Sequence, residues 1–63
     1  MTQQHFVVLL DTNGDTIKTV NNTPILDWSE ACLMAGMLNE RLAFANKFQN
    51  YGGYEVVTET VEE

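Results

Sequence analysis

Between Asp27 and Gln49 runs a long helix-compatible segment whose apolar residues fall on more sides than one small sheet can cover. At about 100° per residue, Trp28, Ala31, Ala35, Leu38, Leu42 and Ala45 form one stripe, with Cys32 at its margin. Small and medium side chains dominate that stripe, as suits a helix lying flat on a sheet. A second group, Leu33, Met37, Phe44 and Phe48, falls on a different side, with Met34 joining the two stripes and Arg41 among them. Only Ser29, Gly36, Asn39, Glu40, Asn46 and Lys47 remain as a polar strip. A helix that is apolar nearly all round is normally buried nearly all round.

The helix start is marked twice. Asp27-Trp28-Ser29-Glu30 fits a capping box, with Asp27 as N-cap and Glu30 reaching back to the free amide. Thr23 followed by Pro24 is the alternative. The helix is expected to run to Phe48 or Gln49 and to stop at Asn50-Tyr51-Gly52-Gly53, where a glycine can turn left-handed. Such a rod is about 30 Å long, so it should overhang the sheet or bend near Gly36.

Before it, His5–Asp11 and Thr16–Asn21 are β-rich runs separated by Asp11-Thr12-Asn13-Gly14-Asp15. Asn-Gly between two such runs signals a hairpin with a type I′ turn. That register opposes Thr12 to Asp15, Leu10 to Ile17 and Val8 to Thr19. Phe6, Val8, Leu10 and Ile17 then share one face, and Val7, Leu9 and Val20 share the other with Lys18. A first strand apolar on both faces is expected to be central and covered on two sides. Tyr54–Val61 supplies the last strand, antiparallel to the first, with Glu55 and Glu59 guarding its edge. The expected fold is α+β, ββαβ, a three-stranded antiparallel sheet in the order 2-1-3 with one long helix on one face. Residues 1–63 form a single small domain.

At 63 residues, folding buries only about 60% of the surface an unfolded chain exposes. Small domains compensate with disulfides, a metal or oligomerisation. One cysteine and one histidine supply neither an internal disulfide nor an ordinary zinc site. Association with another chain is the remaining route. Leaving Leu33, Met37, Phe44 and Phe48 in water forfeits roughly 6–12 kcal/mol, comparable with a domain's whole stability. An arginine among aromatics and methionine is also the composition of an interaction hot spot.

No residue pattern offers catalysis. Asp11–Asp15 superficially resembles a calcium loop, but Thr16 stands where the glycine is needed and Asn22 where the bidentate glutamate is needed. Cys32 reads as a buried structural thiol and His5 as a surface histidine at a strand end. Gly52-Gly53 precedes a strand, whereas a phosphate cradle needs glycines before a helix. Trp28 and Tyr54 are expected to close the ends of the core.

Nine acidic residues against three basic give a formal charge of −6, which argues against direct nucleic-acid binding and against anionic membranes. The absence of a signal sequence or an apolar span, with a lone cysteine, leads to a cytoplasmic expectation. In size, acidity and hairpin–helix–strand order the chain resembles small acidic phage and mobile-element proteins that inhibit host machinery. That likeness rests on no motif, so it transfers no site.

The leading expectation is a non-enzymatic interaction module without a cofactor. It would be homodimeric, or dock on and regulate a host protein, through Leu33, Met37, Arg41, Phe44 and Phe48. The alternative is an acidic nucleic-acid mimic presenting Glu55, Glu59, Glu62 and Glu63, with Asp11 and Asp15 as further charges. A third possibility is a small enzyme or ligand carrier whose pocket forms only at a dimer interface.

Overall fold

The computed structural model describes residues 2–46 and 49–62. Chain order is β1 (Thr2–Leu10), β2 (Thr16–Thr19), α1 (Trp28–Phe44) and β3 (Gly53–Val61). The sheet is antiparallel in the order β2-β1-β3. The expected ββαβ architecture with a central first strand is the one observed.

The hairpin turns by a different device from the one its Asn-Gly pair predicts. Asp11 Oδ1 accepts the amides of Asn13 and Asp15 at 2.8 and 3.0 Å. Gly14 N–H donates to Asp11 O at 3.1 Å, and Asp11 N–H donates to Asp15 O at 2.8 Å. Gly14 takes φ +91° while Asn13 keeps a negative φ. The loop therefore runs from Thr12 to Gly14, a tight turn closed by one left-handed glycine, instead of a two-residue type I′ loop. Val8 still opposes Thr19, but Leu10 opposes Thr16, and the irregularity between Leu9 and Leu10 absorbs the extra residue. Ile17 consequently loses its expected pairing with Leu10 and lies half exposed.

β2 ends at Thr19, and a side chain continues its ladder. Asn21 Oδ1 accepts Val7 N–H at 2.8 Å, while its Nδ2 donates to the carbonyls of Thr23 at 2.9 Å and His5 at 3.3 Å. Ile25 then rejoins the edge, exchanging backbone bonds with His5 at 2.9 and 3.0 Å. On the other side, β1 pairs with β3 from Thr2↔Val61 to Leu10↔Gly53. The polar Thr2-Gln3-Gln4 segment is thereby drawn into the strand.

Asp27 caps α1 with extended backbone geometry, its carboxylate accepting Ser29 N–H at 3.0 Å. The helix stops earlier than expected. Asn46, at φ +54°, supplies the left-handed residue, and its N–H reaches Ala43 O at 3.0 Å. Asparagine is the usual substitute for glycine at this position. Seventeen residues make a rod of about 25 Å, shorter than the roughly 30 Å of nine-residue β3. The expected overhang is absent.

α1 packs on β3 and β1 and does not reach β2. Val7 and Leu9 from the sheet and Ala31, Ala35 and Leu42 from the helix form the core between the layers, while Val8, also buried, lies on the other face of the sheet. The alanines let the helix backbone approach the sheet closely. His5 is buried with them at 3% exposure, contrary to the surface position expected of it. Its Nδ1 lies 2.8 Å from Thr58 Oγ1, and its ring meets Trp28 edge-on at 5.5 Å. Trp28 itself is half exposed, so it borders the core instead of filling it.

Among the described residues no second element packs over the other face of β1, contrary to the cover expected on both sides. Opposite the helix, Phe6, Val8 and Val57 border an open depression with Thr19, Asn21, Asn22 and Glu59. A radius of gyration of 12.3 Å exceeds the roughly 10.6 Å typical of this length. The accessible surface of 4533 Å² likewise exceeds the about 4100 Å² of an average monomer of this mass. The molecule is a thin two-layer slab, 42 × 21 × 14 Å.

Candidate protein-interaction surface

The helix positions its exposed apolar side chains by periodicity alone. Glu30, Met34, Met37 and Arg41 recur at spacings of four, three and four residues, which keeps them in one row along α1. That row flanks the core stripe of Ala31, Ala35 and Leu42. Ile25, fixed by its bridge to His5, supplies the opposite wall. The result is an apolar groove of about 440 Å³ with Glu30 toward one end, Arg41 toward the other, and Leu33, Met34, Met37 and Leu38 between them.

The five side chains expected to form the interface are divided by the structure. Leu33, Met37 and Arg41 are brought together in the groove. Leu33 is 66% exposed and Met37 is 52% exposed. Phe44, 87% exposed, stands apart beside Glu40 and Ala43. Phe48 lies outside the described residues. Leu26, just before the helix, is 66% exposed and does not line the groove. Neither Glu30 nor Arg41 makes an ion pair within the chain among the described residues.

Sequence reasoning missed Ile25, Glu30 and Asn39. Glu30 was legible from its spacing to Met34, Met37 and Arg41, but its position in the first helical turn drew attention to capping. Ile25 becomes a groove wall only because the chain rejoins β1 after a loop, and no local pattern marks that. Asn39 clamps the outer edge of β3. Its Oδ1 accepts Tyr54 N–H at 2.7 Å and its Nδ2 donates to Tyr54 O at 3.2 Å.

Glu55 and Glu59 are exposed on the sheet face away from the helix, opposite Val8 and Gln4. Four residues of strand separate them by about 13 Å, and Val57 stands between them. Glu62 is exposed, and Glu63 lies outside the described residues. Asp11 spends its carboxylate on the hairpin amides. Cys32 is exposed, contrary to the buried position expected of it. It falls on the turn of the helix away from the groove. Among the described residues no group of three or more His, Cys, Asp or Glu side chains is placed to hold a metal. No described helix is long and apolar enough to cross a membrane.

No family model matches the chain, and no curated protein or solved structure matches it either.

Proposed function

We propose that this chain is a non-enzymatic protein-interaction module that binds through the apolar side of α1, with a second copy of itself as its first partner. The observation that carries this reading is the exposure of Leu33, Met34 and Met37 along one groove. Burying such side chains is worth about 1.5–3 kcal/mol each, and contiguous apolar surface of this kind marks interfaces. A thin slab with more surface than its mass requires has the same need for a partner. Two-fold homodimers are the most frequent closed assemblies of one chain.

The acidic-mimic reading draws less support from the geometry. Its carboxylates on β3 are spaced widely and alternate with valines, unlike the dense charge of a phosphate backbone, one per about 1.7 Å of duplex. Sedimentation equilibrium of the wild type and Met37→Asp, from micromolar to near-millimolar protomer, tests the proposal. The wild type should dimerise and Met37→Asp should remain monomeric with an unchanged far-ultraviolet spectrum. A wild type that stays monomeric throughout would remove self-association from the reading.

A further inference from the structure

We infer that two copies pair through the groove with their α1 helices side by side and antiparallel, Glu30 of each protomer facing Arg41 of the other. This inference rests on the self-association proposed above and adds its geometry. Positions 30 and 41, and positions 34 and 37, are symmetric about the same midpoint of α1. A two-fold axis through that midpoint brings Glu30 against the partner's Arg41 at both ends, and Met34 against the partner's Met37 between them. Glu30 and Arg41 are about 16 Å apart along the helix axis, so one rigid register satisfies both pairs at once. The four-three-four spacing averages about 3.7 residues, close to the 3.6 of a straight helix, so the row stays in line along α1. Shallow crossing near 20° keeps such helices in contact over several turns.

Three features select this arrangement over other self-pairings. A parallel pairing would put Glu30 against Glu30 and Arg41 against Arg41, like charges at both ends. Pairing through the open sheet face about a two-fold axis would gather Glu55 and Glu59 of two chains. Edge-to-edge pairing along β3 meets the Asn39 side chain, which already occupies the Tyr54 backbone groups. The antiparallel helix pairing has none of these obstacles. Arg41 is one of only three basic residues in the chain, and among the described residues neither Glu30 nor Arg41 has an ion pair of its own.

Charge reversal tests the pairing. Dimer dissociation constants are measured by sedimentation equilibrium for the wild type, Glu30→Arg, Arg41→Glu and the double swap, with Glu40→Arg, outside the groove, as control. Each single reversal alters two symmetric contacts and should weaken the dimer about tenfold or more. The double swap should return to within about threefold of the wild type, and Glu40→Arg should stay near it. Circular dichroism of each variant establishes that it folds. A dimer indifferent to the single reversals, or singles that the double swap does not rescue, would overturn this pairing and leave self-association standing. A wild-type monomer at every concentration would overturn both.

Discussion

Asn39 offers the sharpest test of how the helix is fastened to the sheet. It is half-buried, and its carboxamide replaces a neighbouring strand at Tyr54, accepting that residue's N–H at 2.7 Å and donating to its carbonyl at 3.2 Å. Asn39→Ala deletes both bonds and leaves two edge groups to water. Two neutral hydrogen bonds at about 0.5–1.5 kcal/mol net each give a loss of about 1–3 kcal/mol. Against the roughly 3–9 kcal/mol expected of a domain this size, that is a third or so of the whole. A loss of about 2 kcal/mol should lower the melting temperature by about 8–16 °C. Urea and thermal unfolding followed by circular dichroism measure it, at fixed protomer concentration because association shifts apparent stability. The same substitution frees the β3 edge, so concentrated Asn39→Ala should aggregate more readily than the wild type. Asn39→Asp keeps the acceptor for Tyr54 N–H and loses the donor, so it should retain part of the stability. An Asn39→Ala protein within about 0.5 kcal/mol of the wild type, the spread of ordinary surface changes, would refute the clamp.

Other substitutions probe the remaining features. Gly52→Ala would drive a Cβ into the Asp11 carbonyl oxygen and break the close approach in which Gly52 N–H meets Leu10 O at 2.8 Å; it should cost about 2 kcal/mol or more in urea unfolding. Gly14→Ala meets no neighbour but forces a side chain onto φ +91°, and about 1–2 kcal/mol is expected in the same assay. His5→Ala removes a buried ring and its bond to Thr58, and should cost about 2–4 kcal/mol, whereas exposed Cys32→Ser should stay within about 0.5 kcal/mol. The Cys32 thiol should react with a thiol reagent in the native protein at nearly the rate of the unfolded chain, because the proposed pairing covers the other side of α1. If the acidic surface is instead the binding surface, capture of a basic partner should weaken steeply with salt and be lost on Glu55→Gln with Glu59→Gln; the helix-groove reading expects neither.

Local and periodic features were legible in the amino-acid order alone. The strand runs, the Asp27 cap, the helical repeat and the split of apolar residues onto two sides of α1 all follow from interactions within a few residues or from a fixed period. They were sufficient to place β1 in the centre of the sheet, because a strand apolar on both faces needs neighbours. What tertiary structure decided depends on groups distant in sequence. His5 is buried because Thr58 and Trp28 converge on it. Asn21 and Asn39 serve the sheet with side-chain amides that no pattern distinguishes from surface polar residues. Asn46 could adopt the left-handed geometry and end the helix before the glycines were reached. Ile25 became the wall of a groove only when the chain rejoined β1. Periodicity reports which side chains share a direction along one element. Which of those directions is covered depends on where the other elements lie, and α1 lies across β1 and β3 while leaving β2 bare.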